Sequence, residues 1–133
     1  MKEVEVVDRA EKVMKQLFQN GNRNVVTTSQ IRKFLTAVNT ITEKVNVYRI
    51  QNPESWEKLP EELQAEIKYL KIKLAYQIGR NNNRWGNPVK DLENAAGLIT
   101  AIDEIKNSTK AYQTFAKYME ALVAFHKYYG GRD

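Results

Sequence analysis

Between Lys68 and Lys90 the chain carries Lys68, Lys71, Lys73, Arg80, Arg84 and Lys90 and no acidic residue. A run of cations without carboxylates suits one kind of chemistry above all: holding a polyanion. Each phosphate it contacts releases condensed counterions. Tyr69, Lys73, Tyr76 and Arg80 follow i, i+4, i+7, i+11 spacing, so on a helix they share one face. Their phenol hydroxyls can bond phosphate or ribose beside the cations. A second basic pair, Arg32-Lys33, stands near a helix start, where backbone N–H groups and the macrodipole both favour an anion. Further along, Lys110, Lys117 and Lys127 are interleaved with Tyr118, Phe125, Tyr128 and Tyr129, and these rings are expected to pack in the core. Each feature has a plainer alternative. The basic face can be an ordinary solvated one, with its rings half-buried against the next helix. Arg32-Lys33 can simply flank the apolar stripe at Ile31 and Phe34.

Enzymatic chemistry has little to use. There is no cysteine, which removes thiol catalysis, thiolate metal sites and disulfides. His126 is the single histidine. It has no cluster of further ligands for a metal and no recognisable serine motif beside it. It falls on an apolar stripe, so a satisfied core histidine is expected. Glu61-Glu62 reads as exposed charge at a helix start, not as an acid/base dyad, and no glycine-rich phosphate loop occurs. The expectation is a non-enzyme without metal or cofactor.

The elements that must position these residues read as helices. The 133 residues suffice for one domain with its own core. Val6, Val7, Ala10, Val13, Met14, Leu17 and Phe18 mark a first helix from about Val4 to Phe18, stopped by Asn20-Gly21-Asn22. Thr27 and Gln30 have capping-box spacing and open a second, with Ile31, Phe34, Leu35, Val38, Ile41, Val45 and Tyr48 along one face as far as Gln51. The third starts at Pro60 and carries Leu63, Ile67, Leu70, Leu74 and Ile78, with Gly79 as its stop. After the polar loop Asn81–Asn87, which holds one aromatic, Trp85, Pro88 opens a fourth whose stripe is Leu92, Ala95, Ala96, Ile99 and Ile102. Asn107-Ser108 breaks and recaps the chain for a fifth, ended by Gly130-Gly131. The expected fold is all-α: a single-domain bundle of about five helices joined by short loops. The net charge of +5 supports an anionic partner without proving one. The first residues, Met1 to Glu5, have no apolar core of a secretory signal, and no apolar stretch approaches the ~20 residues of a membrane span. A cytoplasmic setting is expected.

Three segments together resemble a known family: Thr27–Leu35 (TTSQIRKFL), Tyr69–Arg80 (YLKIKLAYQIGR) and Ala116–Gly131 (AKYMEALVAFHKYYGG). Their order and separations look like the small subunit of the Csm effector complex of type III-A CRISPR–Cas systems, from about Thr27 to the end. The resemblance implies a compact helical bundle without catalytic activity. Copies would stack head to tail beside other subunits of the complex. Basic side chains would hold a guide RNA–target RNA duplex by its backbone, without reading sequence. Carried over by position, the implied RNA-binding residues are Arg32, Lys33, Lys71, Lys73, Arg80, Lys117 and Lys127, with Tyr76 as a hydrogen-bonding neighbour. Lys71 and Lys73 lie about 200° apart around a helix, so one of them is expected to serve a subunit interface. Gln30 departs from the family, which often carries lysine there, and this lowers the charge expected at the helix start.

Two other readings compete. One is a helical protein–protein adaptor whose basic charge is incidental. The other is a helix-turn-helix DNA binder using Arg32 and Lys33. The second helix is long for a recognition helix, and no short partner helix precedes it.

Overall fold

The computed structural model describes residues 1–19 and 24–133. The expected stop at Asn20-Gly21-Asn22 lies outside the described residues. A single 3₁₀ turn, Glu3–Glu5, leads into α1 (Val6–Leu17). It is followed by α2 (Thr28–Gln51), α3 (Glu61–Arg80), α4 (Pro88–Ala96), α5 (Leu98–Ile105) and α6 (Thr109–Tyr128). No strand occurs among the described residues, only two isolated bridges in loops. The all-α class therefore holds, with six helices among these residues where the sequence pattern suggested about five.

The extra boundary is at Gly97. The pattern from Leu92 to Ile102 reads as one apolar stripe, but Gly97 takes a left-handed conformation at φ 67° and ψ 40° and closes α4. That conformation costs a residue with a Cβ about 1–2 kcal/mol and glycine almost nothing. The chain restarts at once because the Glu93 carboxylate accepts the N–H groups of Leu98 (3.0 Å) and Ile99 (3.1 Å). Burial raises the Glu93 pKa above its ordinary value, and these two backbone hydrogen bonds oppose that rise. Two boundaries also move by about a turn or less. Pro60 is the residue before α3 and not its first member, and Gly79 lies inside α3, which continues to Arg80.

Helix α6 is the centre of the bundle, packed against α1, α2 and α5, while α2 packs on α3 and α4 on α1. Tyr112, Phe115, Tyr118, Met119 and Leu122 of α6 are almost wholly buried. Tyr112 donates to the Val38 carbonyl of α2 at 2.8 Å and lies 2.8 Å from the Thr42 hydroxyl. Tyr118 donates to the Ala96 carbonyl at the end of α4, also at 2.8 Å. Burial pushes the Tyr112 phenol up to about 12, so it stays a donor at any ordinary pH.

His126 does for the C-terminal end what the tyrosines do for the middle. Its ring is fully buried, and Nε2 lies 2.5 Å from the Val26 carbonyl. The Nδ1 atom has no partner. The chain then turns at Gly130 (φ 100°), and Gly131 folds its α-carbon against the imidazole, bonding back to the His126 carbonyl at 2.8 Å. This tail ends as a cap for another helix: the Arg132 carbonyl accepts the Thr28 N–H at the start of α2, at 2.7 Å. Thr27 and Gln30 complete that start as the expected capping box.

Two predictions follow from the buried ring. A Cβ on Gly131 would overlap the imidazole. Gly131→Ala should therefore lower stability by about 1–3 kcal/mol in urea unfolding, as overpacking does; an unchanged midpoint would contradict this packing. Burial also lowers the His126 pKa below 6.5. The unfolded chain then takes up the proton first, so stability falls as pH drops through about 6.5, by at most ~1.4 kcal/mol per pH unit. Comparing urea midpoints at pH 7.5 and 6, this loss should be absent in His126→Gln.

Candidate nucleic-acid interface

Helices α2 and α3 run antiparallel, so the first turns of α2 lie beside the last turns of α3. Polar side chains tie these two ends together. Gln77, buried on α3, donates through its amide to the Gln30 carbonyl at 2.6 Å. The Gln30 amide in turn donates to Asn81 Oδ1 at 2.8 Å, and Asn81 donates to the Gln77 carbonyl at 2.6 Å. Gln30 also accepts the Thr27 N–H at 2.8 Å as its half of the capping box. The position where the resembling family often has lysine is thus filled here by a residue that links two helices. An amide can donate and accept at once, whereas lysine can only donate.

Against this clamp lies a groove lined by Lys33, Phe34, Tyr69, Ile72, Lys73, Tyr76, Gln77 and Arg80. No carboxylate lines it. Lys33, Lys73 and Arg80 are exposed and take part in no ion pair among the described residues. Tyr76 is 71% exposed, so its hydroxyl projects into solvent beside them. The i, i+4, i+7, i+11 face expected from Tyr69, Lys73, Tyr76 and Arg80 is realised as one wall. Lys33 joins it from the other helix.

The remaining cations lie elsewhere. Lys71 points away from the groove to α5, where Nζ is 2.6 Å from Asp103 Oδ1. The 200° separation between Lys71 and Lys73 is therefore resolved by the fold: Lys73 is the groove residue. Lys117 is paired with Glu3 and lowers that carboxyl's pKa through hydrogen bond and charge. Lys127 is 3.6 Å from Asp133. Arg32 is exposed but does not line the groove. The backbone donors at the start of α2, expected to be open to an anion, are partly used within the chain. Thr28 N–H goes to Arg132 and Gln30 N–H to Thr27 Oγ1 at 3.2 Å. The eight expected positions thus divide. Lys33, Lys73, Tyr76 and Arg80 converge; Lys71, Lys117 and Lys127 sit in exposed ion pairs on other surfaces; Arg32 is exposed outside the groove.

Sequence reasoning missed the apolar floor of the groove. Phe34 is in the core as its stripe predicts and also lines the groove; Ile72 is the floor residue that the apolar stripes leave out. The signal was present: Ile72 stands outside the seam Leu63, Ile67, Leu70, Leu74, Ile78, and three residues from Tyr69. It is more than half exposed. No group of three or more histidine or acidic side chains among the described residues could hold a metal ion. None of their helices is long and apolar enough to cross a membrane.

Residues 2–132 match the family model described as Csm2 Type III-A. The chain is 37% identical over 128 residues to the CRISPR system Cms protein Csm2 of Streptococcus thermophilus, covering 96% of this chain and 93% of that one. It is 32% identical over 108 residues to the protein of the same description from Enterococcus italicus, covering 80% and 69%. Over 121 residues it is 30% identical to that from Mycobacterium tuberculosis, covering 91% and 89%.

Proposed function

The chain belongs to the type III-A Csm2 family, and from that premise we propose that it is a non-catalytic small subunit of an RNA-guided CRISPR–Cas complex in the cytoplasm, one that cradles a guide RNA–target RNA duplex by its backbone. The observation that carries the reading is the convergence of Lys33, Lys73 and Arg80 in one carboxylate-free groove. An A-form duplex presents phosphates and riboses along a shallow minor groove, so cations and a phenol hydroxyl on rigid helices are sufficient to hold it. Base pairing carries the sequence information and the protein reads shape and charge, as in RNA-guided DNA recognition.

In this reading Lys33, Lys73 and Arg80 contact phosphate, and Tyr76 bonds phosphate or ribose. Arg32 precedes Lys33 at the start of α2 and lies outside the groove. Lys71 faces a subunit contact. Lys117 and Lys127 stay paired with Glu3 and Asp133 on other surfaces and take no part in holding the duplex. Stacking with further copies is supported by charge polarity along the α2–α3 hairpin. One end carries Glu54, Glu57, Glu61 and Glu62 against Arg49 and Lys58; the other carries Arg80 and Arg84. Opposite ends of that kind attract head to tail. The chain forms its domain as one unit, and several grooves in a row add avidity to the measurable affinity of one copy.

The test is a salt titration of binding to RNA duplexes of unrelated sequence. Lys73→Ala and Arg80→Ala should each weaken binding to all of them equally, by roughly tenfold. Each should also reduce the slope of log K against log salt by about 0.7–0.9. Lys71→Ala should change neither. Wild-type affinity in both groove variants would contradict the assignment.

A further inference from the structure

Phosphate contacts leave the loop that carries Trp85 without a role. Trp85 is 73% exposed in the loop that follows α3. An indole in water is costly, and a tryptophan without a structural task usually packs inward. This one is held outward by a fixed loop. Asn83 and Gly86 exchange backbone hydrogen bonds of 3.0 Å in both directions. Trp85 N–H donates to Asn83 Oδ1 at 2.8 Å, and the Trp85 carbonyl accepts from the Asn24 amide at 3.0 Å. Gly86 permits the turn at φ 122°. The Arg84 guanidinium lies over the indole, 4.6 Å from the ring centroid.

An indole and a guanidinium held together present a flat surface that is apolar, polarisable and positive. Among biological partners, an unpaired nucleotide combines a flat ring with an adjacent negative charge. Base stacking on such platforms is tolerant of sequence and is strengthened by arginine. The charge on the ring favours that occupant over a protein: Arg84 lies against the indole and no carboxylate occurs in the sequence from Lys68 to Lys90, while Asp133 is in the cavity that Asn24 and Asn83 line. Trp85 also lies only five residues beyond Arg80, which places the two α-carbons within about 18 Å of each other. We propose that Arg84 and Trp85 form a stacking platform for an unpaired base of the RNA strand that continues past the α2–α3 groove. This rests on the RNA-binding reading above and adds to it a contact with base instead of backbone.

The experiment uses tryptophan emission. Trp56 is the only other tryptophan in the sequence, half-buried and bonded through its backbone carbonyl to Thr109. Trp56→Phe therefore leaves Trp85 as the reporter. This variant is titrated with a single-stranded oligoadenylate RNA of about 12 nucleotides and with a blunt RNA duplex of equal length. Binding is followed in parallel by anisotropy of labelled RNA. The single strand should quench Trp85 and the duplex should not. Trp85→Ala should weaken single-strand binding by about 5- to 100-fold, and Trp85→Phe should recover most of it. Anisotropy that reports binding sensitive to Lys73→Ala, with Trp85 emission unchanged and Trp85→Ala without effect, overturns the platform and leaves the groove reading standing. Absence of binding by the unsubstituted chain to either RNA overturns both. Emission that ignores RNA and shifts only on mixing with other subunits of the complex makes the loop a protein anchor and overturns the assignment.

Discussion

Every polar ring that α6 buries has to find a backbone carbonyl, and that requirement arranges the molecule. A buried donor without an acceptor costs about 1–3 kcal/mol, a large share of the stability of a domain this size. Tyr112 meets the requirement on α2, Tyr118 at the end of α4 and His126 in the segment before α2. Aliphatic packing alone would allow the neighbouring helices to slide, since hydrophobic contact has no direction. Three directed bonds from one helix remove that freedom. The third of them matters most for the groove, because the tail folded on His126 supplies the carbonyl that caps Thr28. The register of α2, and with it the position of Lys33, is thereby tied to the far end of α6.

The clamp of Gln30, Gln77 and Asn81 then fixes α2 against α3 on the outer side. Polar groups at a helix junction normally lose hydrogen bonds to water, and here each finds a partner in the other helix or its own. The consequence is electrostatic. The clamp sets the two helix backbones so that three exposed cations, Lys33, Lys73 and Arg80, line one groove with no carboxylate. The exposed pairs Lys71–Asp103, Lys117–Glu3 and Lys127–Asp133 have the opposite character. Their charge is balanced locally, whereas Lys33, Lys73 and Arg80 have no ion-pair partner among the described residues.

Much of this was legible in the sequence for identifiable reasons. The capping box at Thr27 and Gln30 is a local signal and was realised atom for atom. The Tyr69, Lys73, Tyr76, Arg80 face depends only on helical spacing, and the helix is long enough to honour it. Lys33 joining that face required a tertiary fact, the antiparallel contact of α2 with α3, which no spacing rule supplies. The break at Gly97 was hidden because the apolar stripe continues across it; the isolated glycine with Glu93 four residues before it was the available cue. Lys71, Lys117 and Lys127 could not be sorted from the groove set by type, since their partners Asp103, Glu3 and Asp133 are distant in sequence or lie at the chain's end.

The claim that one groove, and not the general basic charge, holds RNA is tested most directly by lysine acetylation footprinting with mass spectrometry, in the presence and absence of an RNA duplex. The account predicts that RNA slows modification of Lys33 and Lys73 while Lys71, Lys117 and Lys127 react at unchanged rates. Protection spread evenly over all five, or confined to the last three, would contradict it.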